Sequence, residues 1–272
     1  MPTKLIQVSD LHFVPPGTLL LGLDPRARLE AAVADINTHH RDAELCLFTG
    51  DLADGGAPEA YDALRETLDA LRIPYLMTIG NHDNRGNFQS AFPEAPRDEH
   101  GFVQTVAATG AGDIILLDTH EPGQHAGSFC AKRQAWLKAR LAEAAGRPAY
   151  LFMHHPPLDI GIPSLDRIGL VDKQGFADAL EGADAGGVRH IFFGHVHRPV
   201  SGSWRGIPYA ALCSLVHQVP LDLVTEHPVP CDHAPPAYNV ILLDGQATVV
   251  HHHEFLDTSR LPPDTERYTT AG

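Results

Sequence analysis

Compact apolar runs punctuate the first two hundred residues. They lie at 5–8, 45–48, 75–79, 114–117, 150–153 and 190–193, and carry β-branched or aromatic residues. Being mostly hydrophobic rather than alternating, they predict strands buried on both faces. Stretches with helical spacing fall between them, most clearly at 25–40, 58–71, 132–145 and 173–180. In the second of these, Tyr61, Leu64, Leu68 and Leu71 recur three or four residues apart and so share one helix face. Pro74 then disfavours helix at the residue before it and restarts the chain as a strand. This alternation predicts an α/β fold of βαβ units, with a sheet covered by helices on both faces.

The pattern changes after about residue 198. Helical spacing disappears, Gly202, Gly206 and Pro208 separate short strand-like pieces, and a segment rich in proline and histidine follows at 219–236. Two more strand-like runs, 240–243 and 248–252, return to the body, and the polar tail is expected to be loose. The expected organisation is a core over 1–200, a cap or oligomerisation excursion over 201–236, returning strands over 237–258 and a tail over 259–272.

Composition narrows the function more than the fold. Of 272 residues, 43% are hydrophobic and 20% charged, which excludes a largely disordered or fibrous chain. The formal charge of −14 argues against a binder of nucleic-acid polymers, which needs a basic face to neutralise phosphates. Four cysteines without C-x-x-C spacing make no disulfide scaffold; Cys213 and Cys231 are expected to be reduced. No apolar stretch approaches the ~20 residues of a membrane span and no signal peptide is visible, so the expectation is a soluble cytoplasmic protein without membrane partners. The one abnormal count is 18 histidines.

Metal-ligating residues gather at the predicted strand ends. The first strand leads into Ser9-Asp10-Leu11-His12, the second into Gly50-Asp51, and the third into Gly80-Asn81-His82-Asp83. The fifth leads into His154-His155-Pro156-Pro157 and the sixth into Gly194-His195-Val196-His197. Ligands of open α/β sheets bind beyond the carboxyl ends of the strands, so residues 150 apart can converge there. In Asp-x-His and His-x-His an extended backbone would point both side chains to one side. Glycine before Asp51, Asn81 and His195 allows a sharp turn and close backbone approach. Carboxylate, amide oxygen and imidazole without thiolate favour Mn, Fe, Co or Zn. Seven such side chains exceed the needs of one open catalytic ion and suffice for two that share a carboxylate.

These blocks, taken in order, resemble the signature of the calcineurin-like binuclear metallophosphoesterases over about residues 4–200. The resemblance implies a β-sandwich of two sheets flanked by helices (αββα) with a small C-terminal cap. It implies one divalent metal held by Asp10, His12, Asp51 and His197, and a second by Asp51, Asn81, His154 and His195, with Asp51 bridging. His82 matches the residue that stabilises the attacked phosphate or protonates the leaving oxygen, so His82 and Asp51 are the expected catalytic residues.

Within the family, the His154–Leu158 block, Gly161-Ile162 and Gly206-Ile207-Pro208 leading to His217-Gln218-Val219-Pro220 are similar to the bacterial cyclic-nucleotide and glycerophosphodiester phosphodiesterases. That likeness implies substrate contacts from Asn81, His82 and His217, and a homo-oligomer formed through the cap. Asp54 stands where purple acid phosphatases place a tyrosine ligand, which disfavours that branch. The implied reaction is attack of a metal-bound hydroxide on a small diester, a 3′,5′- or 2′,3′-cyclic nucleotide or a glycerophosphodiester. The alternatives are a phosphomonoesterase or protein phosphatase of the same fold, and a non-catalytic metal-binding scaffold. Outside the motif, His251, His252 and His253 read as surface or edge residues, Trp136 as core, and Phe13 as a candidate for the pocket wall.

Overall fold

The computed structural model describes residues 2–181 and 187–256, so the tail at 259–272 lies outside the described residues. Two mixed sheets pack face to face. The first comprises β1 (Thr3–Val8), β2 (Leu45–Thr49), β3 (Tyr75–Thr78), β10 (Ala237–Leu243) and β11 (Thr248–Glu254), in the order β11-β10-β1-β2-β3. The second comprises β4 (Thr105–Thr109), β5 (Gly112–Leu116), β6 (Ala149–Met153), β7 (Val188–Phe193), β8 (Ser201–Trp204) and β9 (Ile207–Ala211), in the order β4-β5-β6-β7-β9-β8. The strands β1, β2 and β3 are mutually parallel, as are β5, β6, β7 and β9.

Alternating residues of one strand serve two cores. Ile6, Val8, Cys46 and Phe48 face helices α1 (Pro25–His39) and α2 (Pro58–Leu68), packing on Leu29, Val33, Tyr61 and Leu64. Leu5, Leu45 and Leu47 point the other way, against Ile114, Leu116, Phe152 and Phe192 of the second sheet. The outer face of that sheet is covered by α4 (Ala131–Glu143) and α6 (Lys173–Leu180) through Trp136, Leu137 and Phe176. The apolar runs are therefore buried on both sides, as their lack of alternation requires. The second cover is another sheet rather than a second helix layer, which corrects the simple alternation reading and agrees with the αββα arrangement. Phe13 is also corrected: it is 1% exposed and packs in the α1–α2 core instead of lining a pocket.

The element ends follow local chemistry. Asp24 caps α1 by accepting from the Arg26 and Ala27 N–H groups, and Pro25 occupies the first turn where no hydrogen bond is lost. Two short helices, α3 (Arg85–Ala91) and α5 (Pro163–Asp166), and the edge strand β4 carry too little periodic hydrophobicity to be read from sequence. Residues 201–211 form β8 and β9 within the second sheet, so the excursion from the core begins later than the expected 201–236 segment.

Candidate metal centre

Parallel pairing brings the carboxyl ends of β1, β2 and β3 to one edge of the first sheet, and those of β6 and β7 to one edge of the second. The residues just past these ends meet between the sheets. Asp10, His12, Asp51, His154, His195 and His197 are each at most 5% exposed. One ligand atom from each of Asp10, His12, Asp51 and His197 falls within 4.8 Å of the others.

Left-handed backbone makes this convergence. Eight non-glycine residues have positive φ among the described residues, and five of them are Asp10, His12, Asp51, His195 and His197, with φ of 57°, 45°, 48°, 67° and 49°. Each costs about 1–2 kcal/mol, so the clustering marks a site that the surrounding fold holds against strain. The expectation of extended Asp-x-His and His-x-His pairs is thus corrected. β1 ends at Val8 and β7 at Phe193, and both pairs lie on curled chain beyond them. The curled chain is pinned by Asp10 N–H to the Gly50 carbonyl (3.0 Å), His12 N–H to the Asp51 carbonyl (2.9 Å) and His195 N–H to the Asp10 carboxylate (3.1 Å). Close approach is the role of the glycines here. A Cβ on Gly80 would collide with Asp51 Oδ1, and one on Gly50 would strike the His154 ring.

The hydrogen-bond partners fix which ring nitrogens face inward. His197 Nδ1 donates to the His217 carbonyl (2.9 Å), and His12 Nδ1 meets Asp54 Oδ1 (3.3 Å). Both therefore direct Nε2 lone pairs inward, and these two atoms stand 3.2 Å apart. His154 Nδ1 donates to the Thr49 carbonyl (2.9 Å), which leaves its Nε2 facing Asp51 Oδ2 (3.3 Å) and Asn81 Oδ1 (3.1 Å). Asn81 Oδ1 also lies 3.0 Å from His195 Nδ1. Converging lone pairs repel unless a cation sits among them. Among the described residues, the ion pairs of Asp10 and Asp51 are all with histidines, so no lysine or arginine supplies that charge. Burial disfavours a charged His154, yet the Asp51 carboxylate outweighs it and lifts the ring to about 9. This donor set fits divalent metal ions.

The adjacent His155 turns away. Its Nδ1 bonds Thr119 Oγ1 at 2.7 Å and its Nε2 meets the His125 carbonyl at 3.1 Å, so both nitrogens are occupied outside the cluster. His82 sits at the rim, with its backbone N–H donating to Asp51 Oδ1 (2.9 Å) and its Nδ1 held 2.7 Å from Asp54 Oδ1. Burial lowers its basicity, but Asp51 and then Asp54 more than offset this and hold the ring up at about 9. The His217 ring lies 4.5 Å from the His197 ring, tilted at 58° to it, on the wall of a cavity of about 390 Å³ that also reaches His82 and Asn81. Aliphatic side chains of Leu165, Ile168, Val219 and Val229 line another side of this cavity.

Two carboxylates escaped the sequence reading. Asp54, noticed only for not being tyrosine, anchors both His12 and His82, and those two rings hold its carboxyl well below the usual range. Its signal was the three-residue spacing from Asp51, which places it one turn further along the same loop. Asp83 is 6% exposed and collects the N–H groups of Leu52 (3.1 Å), Ala53 (2.9 Å) and Gly80 (2.8 Å), together with the Tyr61 hydroxyl (2.9 Å). It ties the loop carrying Asp51 to the turn carrying Asn81 and His82. Asp83→Ala leaves three buried N–H donors unpaired, at about 1–3 kcal/mol each before relaxation. The expected result is a net loss of about 4 kcal/mol and a fall in melting temperature on the order of 10 °C. A thermal scan showing a fall below about 2 °C would remove this tie from the account.

Comparison with known proteins converges on one family. Residues 3–199 match the sequence model described as calcineurin-like phosphoesterase. A probable cyclic nucleotide phosphodiesterase of Rhodopseudomonas palustris is 43% identical over 256 residues, covering 93% of each chain. A probable glycerophosphodiester phosphodiesterase of Arcobacter nitrofigilis is 33% identical over 222 residues, covering 80% of this chain and 81% of the relative. In fold, a dimetal phosphatase from Danio rerio superposes with a TM-score of 0.72 at 14% identity, over 94% of this chain and 98% of that one. The family and these neighbours imply divalent metal ions, and the buried Asp/His cluster suits them.

Proposed function

The chain belongs to the calcineurin-like phosphoesterase family, and from that premise we propose that it hydrolyses small phosphodiesters at a pair of divalent metal ions. The observation that carries the proposal is the convergence of six other ligand groups on Asp51. Asp10, His12, Asp51 and His197 would hold one ion, and Asp51, Asn81, His154 and His195 the other. When bound, such ions supply Lewis acidity toward phosphoryl oxygens and make a bound water acidic enough to deprotonate near neutral pH.

The chain's own residues do the rest. Asp54 orients the His82 ring, whose positive charge suits both an anionic phosphoryl group and protonation of a departing oxygen. The Asn81 amide and His217 reach the same cavity and orient the diester. A cyclic nucleotide is favoured over a glycerophosphodiester. Leu165, Ile168, Val219 and Val229 can cover the face of a base, a surface that glycerol lacks, while Ser164, Arg167 and His125 on the same cavity remain for polar contacts. The name of the 43% identical relative supports the same choice.

The test is a substrate panel on protein stripped by chelator and reloaded with Mn, Fe, Co or Zn. Turnover should disappear on stripping and return with metal, and p-nitrophenyl diesters should exceed the matching monoester by at least about tenfold in kcat/KM, about 1.4 kcal/mol of selectivity. Faster monoester turnover would favour a phosphomonoesterase instead. Among natural diesters, 3′,5′- and 2′,3′-cyclic nucleotides should outrun glycerophosphodiesters.

The proposal extends to assembly and setting. The segment after the second sheet exposes Leu221 (63%), Leu223 (60%) and Val224 (83%), an apolar surface suited to a second copy of the chain. Light scattering should give a multiple of the chain mass, and Leu221→Glu/Val224→Glu should reduce it; a monomeric wild type would sink the idea. Four unpaired cysteines support a reducing, cytoplasmic setting. No helix among the described residues is long and apolar enough to cross a membrane.

A further inference from the structure

The histidine run at 251–253 lies on β11, which is an edge strand of the first sheet among the described residues. Strand alternation sends His252 to one face and His251 and His253 to the other. His252 Nε2 meets Cys213 Sγ at 3.4 Å. His253 instead turns toward the end of α1, where its Nε2 lies 3.0 Å from Asp35 Oδ2, and both side chains are about four-fifths buried. The Tyr238 hydroxyl of β10 donates to the same Asp35 oxygen and orients the carboxylate.

His40 completes the group. It is the residue that ends α1, and its ring stands edge-on 6.0 Å from the His253 ring and 5.9 Å from the Tyr238 ring. Its Nδ1 is buried with no hydrogen-bond partner. One ligand atom each from Asp35, His40 and His253 lies within 4.8 Å of the others. The neighbouring His39 Nε2 is 3.7 Å from the second Asp35 oxygen, on the solvent side.

An Asp35–His253 ion pair alone accounts for one of these contacts and leaves the His40 nitrogen stranded. Two imidazoles and one carboxylate, with a fourth position open to water or His39, are the donors that zinc-class ions take in tetrahedral sites. Ligand atoms at ~2.1 Å from such an ion stand about 3.4 Å apart, and the three present ligand atoms lie within 4.8 Å of one another. Tyr238 then acts as the outer partner that fixes a ligating carboxylate.

We propose that Asp35, His40 and His253 form a third metal site, for one zinc-class divalent ion, sharing no residue with the catalytic cluster. Its occupant joins the edge strand β11 to the end of α1. It is a structural site: the ion binds the folded chain and so stabilises it by mass action.

The measurement is zinc content of tag-free protein, stripped by chelator, loaded with excess Zn²⁺ and desalted. Wild type should carry one zinc per chain more than His40→Ala/His253→Ala. His253→Gln, which keeps a donor for Asp35 but ligates poorly, should lose the same equivalent while folding normally. Manganese-dependent diester turnover should be unchanged in both variants. In an Asp51→Ala/His154→Ala background, added Zn²⁺ should raise the melting temperature, and His253→Gln should abolish the rise. Equal zinc content in wild type, the double variant and His253→Gln overturns the site and leaves an ion pair. Because the readout is metal content, it is independent of whether the chain is a diesterase.

Discussion

Asp51→Ala is expected to lower kcat for bis(p-nitrophenyl) phosphate by at least about 10³-fold and to lose both catalytic metal equivalents together. The carboxylate is 2% exposed, with Oδ2 3.3 Å from His154 Nε2 and 3.7 Å from His12 Nε2, so it stands between the two ligand groups. Its Oδ1 also accepts the His82 N–H at 2.9 Å. Lewis-acid stabilisation of a phosphoryl transition state is worth several kcal/mol, and a loss of about 4 kcal/mol is a factor of about 10³. Asp51 is the one residue that the proposal places in both groups, so replacing any other ligand should cost less metal than replacing Asp51. Steady-state kinetics with metal analysis checks the claim on a variant whose circular dichroism matches wild type. Retention of more than about a tenth of wild-type kcat would remove Asp51 from its central position.

His82→Ala should separate substrates by leaving group. A proton donor contributes about 10²–10⁴-fold where the departing oxygen is a poor leaving group, as in an alkyl or ribose ester. p-Nitrophenolate needs little protonation, so the loss there should be under about tenfold. The ring is well placed for this task, since Asp54 holds Nδ1 at 2.7 Å and leaves Nε2 for the cavity. Burial opposes its protonation and the Asp51 and Asp54 carboxylates favour it; with Asp51 engaged by metal, the Asp54 contact is what keeps a proton on the ring. A group raised in this way is active when protonated, so the rate falls as pH rises through its titration. The variant should lack that alkaline limb. Equal losses on both leaving groups, with the limb retained, would make His82 a phosphate-binding group only.

The strands and their terminal ligands were legible because both signals are local. Apolar runs such as 45–48 and 150–153 declare burial on both faces whatever covers them, and each ligand block follows its strand within a few residues. The cover itself was not local. Leu47 and Phe152 share a core although 105 residues separate them, and nothing in either run says that the far side is a sheet. The backbone of the ligand blocks was misread for a related reason. The motif spacing is compatible with extended chain, and the left-handed φ of Asp10, His12, His195 and His197 is imposed by hydrogen bonds to partners as distant as Gly50 and Asp10.

By itself the sequence determined the α/β class, the positions of the main buried strands, and the blocks of candidate ligands that follow them. Residue type and periodicity are properties of short windows, and they carry that much. Tertiary structure alone shows how His154 is aimed, because the Thr49 carbonyl takes its Nδ1 proton while Thr119 and the His125 carbonyl occupy both nitrogens of the neighbouring His155. It also decided that Asp54 and Asp83 hold the site in place and that His253 leaves the surface run to meet Asp35. In each case the outcome is the direction of one polar atom. That direction is set by a partner distant in sequence that must be satisfied once both are buried.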